Sequence, residues 1–271
     1  MTLRLVISDV DGTLVNKAKQ LTDATVAAVK RLEAAGIPFS LISARPPSGI
    51  AALVTTLGIH GPVAAFNGGT IIAPDGSIVE RHKLDAEVVA RSFAIAEGSG
   101  ATPWLFAGGR WYARDLANPH VPHERIASGQ EPILQDDMTA FYGDADKLSW
   151  VSDDHALLDQ LQEKMRARDA DRATIAKSQA YYLDLTDTRA NKGDGIAALA
   201  RAMGVELADV AVLGDMTNDL PMFARAGTAI AMGQAPAEVR AAARHTSTSN
   251  DDDGVAHAID TILLPMVEEH A

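Results

Sequence analysis

The chain has 271 residues, 47% of them hydrophobic, enough to bury a large core in one long domain or in a core with a smaller partner. Its 36 acidic residues outnumber 24 basic ones and leave a net charge of -12, which argues against nucleic acid or an anionic membrane as the main partner. No cysteine is present, so disulfides, thiolate zinc sites, iron–sulfur clusters and cysteine nucleophiles are excluded, and chemistry must come from oxygen and nitrogen.

The apolar run Leu3 to Ser8 reads as a short buried strand that stops at two acids, Asp9 and Asp11. Gly12 then allows a tight turn. A helix is predicted from about Thr22 to Ala35, with Thr22 or Asp23 as N-cap, Val26, Val29 and Leu32 near helical spacing, and Gly36 as its stop. Strand Pro38 to Ile42, a helix near Pro47 to Leu57 and strand Val63 to Phe66 follow. Strands joined by helices in this way imply a parallel sheet, whose ligands sit at the carboxyl ends of the strands. Asp9, Ser43 and Asn67 all fall there.

From about Leu84 to Leu185 the texture changes: a helical stretch from Ala86, two strands around Gly108-Gly109, and an irregular loop rich in Pro and His. Short strands near Thr139 to Tyr142 and Leu148 to Val151, a helix from Ala156 to Asp169 and a hairpin from Ala173 to Thr186 close the segment. Trp104, Phe106, Trp111 and Tyr112 are expected in its core, and His120 and His123 as solvated loop residues. Arg114 and Arg125 are weaker candidates for substrate contact. The alternation then resumes with helix Asp194 to Met203, strand Val210 to Leu213, helix Asp219 to Ala226, strand Thr228 to Ala231 and a C-terminal helix from about Val255, after an exposed acidic turn at Asn250 to Gly254. The expected fold is α/β: a doubly wound, Rossmann-like parallel core formed by residues 1–83 and 186–271, interrupted by an α+β lobe at 84–185. No secretory signal and no apolar run long enough to cross a bilayer is read, so a cytoplasmic protein is expected.

On a strand, Asp9 and Asp11 point the same way and repel unless a cation lies between them. "AVLGDMTNDLPMF", Ala211 to Phe223, repeats the device: a buried strand runs into Gly214-Asp215, and a turn supplies Asn218 and Asp219. If both strands share a sheet, Asp215 faces Asp9 and Asp11, and three acids in an oxygen-rich pocket suit Mg²⁺ better than zinc. Lys192, just before a helix N-terminus, supplies a fixed positive charge for an anion. Ser43 supplies a hydroxyl at a strand end.

Asp9-Val10-Asp11-Gly12-Thr13, Ser43, Lys192 and Gly214 to Asp219 resemble, in order, the four motifs of the haloacid dehalogenase superfamily. The insertion between the second and third motifs, with "FNGGTII" before it and "AIAMGQAP" after the fourth, is similar to the Cof-type phosphatases of subclass IIB. Two departures are noted: Ser43-Ala44-Arg45 stands where many members read Thr-Gly-Arg, and Gln234 where Asn is commoner. The resemblance implies a Mg²⁺-dependent phosphatase of small phosphate monoesters, sugar phosphates or related metabolites, with a cap domain that sets specificity. It implies Asp9 as the nucleophile that forms an aspartyl-phosphate, and Asp11 as general acid and base. Asp9, Asp215 and the Asp11 carbonyl would hold Mg²⁺; Val10, Ser43, Ala44, Lys192 and Asn218 would hold the phosphate oxygens. Asp219 would steady a ligand or metal-bound water.

Blander readings stand beside these. Acids after a strand are often turn formers, and Asp219 alone suits a helix N-cap. Arg45 either faces the substrate or pairs with a surface acid, and Asn67 either reaches the site or serves an Asn-Gly-Gly turn. A phosphomutase returning the phosphoryl group to a sugar, and a non-catalytic phosphate sensor, are the rival functions. The organic part of the ester and the choice between monomer and homodimer are not legible.

Overall fold

Leu5–Ser8 is a strand buried along its whole length, as an apolar run covered by helices on both faces of a parallel sheet must be. In the computed structural model, which describes residues 2–268, it is next to the edge of a five-stranded parallel sheet. The strand order is His245–Thr246, Thr228–Ala231, Val210–Gly214, Leu5–Ser8, Phe39–Leu41. Side chains alternate across it. Leu5, Ile7, Val210 and Val212 pack on one face against Ile196 and Leu199 of helix Lys192–Ala202 and Met222 and Phe223 of helix Leu220–Phe223. Helix Asp23–Ala34 and the C-terminal helical segment pack together, tied by Arg31 to Asp260 at 2.7 Å and by Thr22 to Asp253 at 2.6 Å.

Two compact units emerge: Met1–Ala44 with Ile50–Glu80 and Asn191–Ala271, and Arg45–Gly49 with Arg81–Ala190. The second is built on a six-stranded sheet in the order Ala173–Gln179, Tyr182–Asp187, Ala145–Val151, Thr102–Ala107, Arg110–Ala113, Ile133–Leu134, antiparallel except for its last pair. Helices Ala86–Ala96 and His155–Asp169 pack through Val88, Val89, Leu158 and Leu161 with Leu105, Leu148 and Trp150. Trp104, Phe106 and Trp111 are buried, and Tyr112 is half-buried against Phe141 at 4.2 Å between ring centroids.

Several local expectations give way to tertiary packing. Thr139 to Tyr142 is no strand but part of a 3-10 turn, Thr139–Asp144, opened by the Asp137 carboxylate, which accepts from the Thr139 amide at 2.9 Å and hydroxyl at 2.7 Å. Adjacent Phe141 and Tyr142 stack on Tyr112 and Phe93 of one core cluster, which the two-sided alternation of a strand forbids. The Pro- and His-rich loop contains helix Val121–Ser128, with Pro122 in its first turn, where proline is tolerated, and Gly129 in the left-handed conformation at its end. There His120 stacks on Tyr181 at 4.0 Å and lies 2.8 Å from Asp153, so it is packed rather than solvated, while His123 is exposed. The helix expected over Asp219 to Ala226 is a 3-10 turn, Thr217–Asp219, leading into Leu220–Phe223. Within the acidic turn, Asn250 is buried and donates to the Val15 carbonyl at 2.9 Å.

Candidate active site

Parallel pairing aligns Ser8 with Leu213, so the residues that follow these strands leave the sheet at one edge. The Asp9 amide donates to Leu213 O at 2.9 Å, and Ile42 N donates to Ser8 O at 3.0 Å. Strand Val63–Ala65 is bridged to the core beyond Ile42, and the Ser43 amide donates to Ala64 O at 3.0 Å, leaving Ser43 buried at the same edge. Asn191 caps helix Lys192–Ala202 by accepting from the Asp194 amide at 2.9 Å, so Lys192 is the first helical residue.

The Lys192 ammonium, 1% exposed, lies 2.5 Å from Asp9 Oδ1 and 2.5 Å from Asp219 Oδ1. Burial alone would lower its pKa, but Asp219 and Asp9 together raise it above the ordinary lysine range, so the charge persists in the interior. Asp219 spends its second oxygen on the amides of Asp215 at 2.8 Å and Met216 at 2.9 Å. Both of its oxygens are thus committed, and the close approach explains Gly214: a Cβ there would stand 2.5 Å from Asp219 Cγ.

Asp215 accepts from the Thr13 hydroxyl at 2.9 Å. Burial first, then the Asp219 charge, pushes its carboxyl up to about 6. Asp9 is also raised well above the ordinary range, by burial that outweighs Lys192 and by Asp219 and Asp215 beyond it. Asp9, Asp215 and Asp219 each offer an oxygen within 4.8 Å of the others. One lysine does not balance this set, and the surplus negative charge among hard oxygen donors is what a divalent cation relieves. Asp219 has both oxygens bonded, whereas Asp9 meets Lys192 and Asp215 meets Thr13 through Oδ1.

Immediately after the two acids of the first motif the chain turns sharply. Gly12 has φ +85°, and a Cβ there would lie 2.3 Å from Asp215 Oδ2. The Gly12 carbonyl accepts from Gln234 Nε2 at 2.5 Å, and Gln234 Oε1 accepts from the Asn250 amide at 3.1 Å, which fixes the turn from outside. The Asp11 carboxylate pairs with Lys19 Nζ at 2.7 Å.

The other candidates scatter. Val10 is buried, Ala44 half-buried, and Asn218 exposed on the turn before Asp219. Asn67 adopts the left-handed conformation, φ 58°, its amide donating to Ser43 O at 2.7 Å; its side-chain oxygen is buried without a protein partner. Turn chemistry and nearness to Ser43 are therefore both present. Arg45 falls in the second unit and donates to Gly49 O at 3.1 Å. Sequence reasoning passed over Thr13, Lys19 and the positioning roles of Gln234 and Asn250. Thr13 sits inside the motif and was findable; Lys19 lies eight residues beyond Asp11 in a polar stretch with no periodicity to single it out.

The sequence profile of the haloacid dehalogenase-like hydrolases matches residues 6–259. The chain is 26% identical to the 5-amino-6-(5-phospho-D-ribitylamino)uracil phosphatase YwtE of Bacillus subtilis, over 96% of this chain and 98% of that protein. A solved haloacid dehalogenase-like hydrolase from Bacteroides thetaiotaomicron superposes with a TM-score of 0.88 at 27% identity, covering 96% of this chain and all of that one. A solved subclass IIB sugar phosphatase superposes with a TM-score of 0.83 over 97% of this chain and 99% of that one, at 18% identity, a likeness of fold alone.

Proposed function

The chain belongs to the haloacid dehalogenase-like hydrolases and is a phosphatase of that family, and from this premise we propose that it is Mg²⁺-dependent and hydrolyses small phosphate monoesters, sugar phosphates or related metabolites, through an aspartyl-phosphate. The observation that carries the reading is the Asp9 carboxylate, held by a buried ammonium beside a second buried carboxylate whose pKa is pushed up to about 6. An oxygen of Asp9 attacks phosphorus, the ester P–O bond breaks, and the departing alkoxide takes a proton from Asp11. Water then attacks the aspartyl-phosphate, gives its proton to Asp11, and releases inorganic phosphate and Asp9. Lys192, the Ser43 hydroxyl and the amides of Val10, Asp11 and Ala44 hold the nonbridging oxygens, joined by the Asn218 side chain.

Asp9, Asp215 and the Asp11 carbonyl would hold the cation, which when bound supplies charge neutralisation between nucleophile and phosphate. Lys192, itself held by Asp219, would orient Asp9. Selection among esters is assigned to the inserted unit, and the protein is expected to act as a monomer or homodimer on a small phosphorylated metabolite. The test is Asp9→Asn, which keeps shape and most hydrogen bonding but cannot become an acyl phosphate. Turnover of p-nitrophenyl phosphate should vanish while the circular dichroism spectrum and thermal midpoint stay near wild type; a folded variant with near wild-type turnover would falsify the scheme.

A further inference from the structure

Lys19 is the residue near the acid cluster that the proposed mechanism leaves without a task. It lies in a turn that closes without its side chain: Asn16 N donates to Gln20 O at 3.1 Å, Lys19 N to Asn16 O at 2.9 Å, and Gln20 N to the Asn16 side chain at 3.0 Å. The backbone there has φ 60°, which glycine adopts freely and a lysine does not. The turn closes through backbone and Asn16 contacts alone, so its folding does not account for a lysine at a strained position, and the Lys19–Asp11 pair it forms is part-buried, each partner about a quarter exposed. Its ammonium lies 2.7 Å from Asp11 Oδ1.

Asp11 has two duties that pull apart. Its carbonyl belongs to the cation site, while its carboxyl must remain free to carry a proton to and from the reacting oxygens. Asp9 and Asp215 already present carboxylates to that site, and the Asp11 charge is felt at Asp215, where it adds a smaller upward push on the carboxyl. A divalent cation placed among them can still take a third carboxylate as a ligand, and a carboxylate that ligates is a weaker base for the proton it has to carry.

We propose that Lys19 is a positioning residue which holds the Asp11 carboxylate off the cation, so that Asp11 contributes its carbonyl to the metal site and keeps its side chain for proton transfer. The inference rests on the reading of Asp11 as acid and base. It requires the ammonium to act through Asp11, not as a loose charge beside the acids.

Lys19→Gly removes the side chain and suits φ 60°, so it deletes the contact without straining the turn. The variant is compared with wild type, Lys19→Arg, Asp11→Asn and the Lys19→Gly/Asp11→Asn double variant. The readouts are Mg²⁺ affinity by calorimetry and kcat and KM on β-glycerophosphate and p-nitrophenyl phosphate. Lys19→Gly should bind Mg²⁺ more tightly yet turn over β-glycerophosphate about tenfold more slowly with little change in KM, the scale of coupling between touching residues. The loss should be smaller on p-nitrophenyl phosphate, whose leaving group needs little protonation. Lys19→Arg should restore both values, and in the Asp11→Asn background Lys19→Gly should change neither. Tighter Mg²⁺ binding that persists in that background would show Lys19 acting as a bare charge and overturn the proposal, as would wild-type kinetics in Lys19→Gly. Wild-type turnover by Asp11→Asn would instead remove the reading of Asp11 itself.

Discussion

In the proposed mechanism, Asp11 is where one substitution would separate two duties of a single residue. Asparagine keeps the backbone carbonyl and nearly the shape of the side chain but cannot exchange a proton. Asp11→Asn should therefore bind Mg²⁺ while turnover of an alkyl phosphate falls by about a hundredfold to ten thousandfold, the usual contribution of one general acid or base. On an activated aryl phosphate the first step needs little protonation, so a stopped-flow trace should show a burst of released alcohol followed by slow hydrolysis of the aspartyl-phosphate. Equal losses on both esters, with Mg²⁺ binding collapsed, would mean that Asp11 matters mainly through the metal. The buried trio of Lys192, Asp9 and Asp219 makes a different point: each carboxylate in it is tolerable only because another group is spent on it, and Asp219 is spent wholly on Lys192 and two amides.

At the scale of the element, the site is three strand ends and one helix start. The first turn of helix Lys192–Ala202 places the ammonium, and Asn191 fixes that turn by capping Asp194. Asn191→Ala should cost about 1 kcal/mol of stability in urea unfolding, as lost N-caps do, and it should also lower phosphatase activity because Lys192 is the adjacent residue. Asn191→Ser, which can still cap, should retain both. A destabilised Asn191→Ala with full activity would show that the lysine is held by its carboxylates alone. The strands work more rigidly: in parallel register Ser8 opposes Leu213, and a slip of one residue would turn Asp9 and Asp215 to opposite faces.

For the whole molecule, the acid cluster links metal, proton and fold. In the metal-free protein the Asp215 carboxyl is pushed up to about 6, from an ordinary value near 3.8. The sign follows: its contribution to stability is present below about pH 4 and is lost as pH rises through about 6, where the ionised group is left among Asp9 and Asp219. On the proposed reading Mg²⁺ would bind the ionised form, so protons would compete with it. At fixed Mg²⁺ the rise in thermal midpoint on adding the ion should be small at pH 5 and larger at pH 7.5, because ligand stabilisation grows with occupancy. Scanning fluorimetry with and without Mg²⁺ at the two pH values measures this, and an equal rise at both would contradict a metal site built on Asp215. Among the described residues no helix is long and apolar enough to cross a membrane.

Sequence alone determined the parallel α/β pattern, because buried strands and amphipathic helices of the core carry their period in their own residues. It also singled out Asp9, Lys192, Asp215 and Asp219, charges that the fold buries together, and Asp11, which stays about a quarter exposed beside Lys19. It did not determine Thr139–Asp144 or helix Val121–Ser128, whose conformations depend on aromatic partners far along the chain and on a proline compatible with both a loop and a helix start. Nor did it determine the contacts of Lys19 with Asp11, Thr13 with Asp215 or Gln234 with Gly12. Those depend on side-chain reach across a folded turn, and hydrophobic periodicity carries no record of polar groups that meet only after the strands have paired.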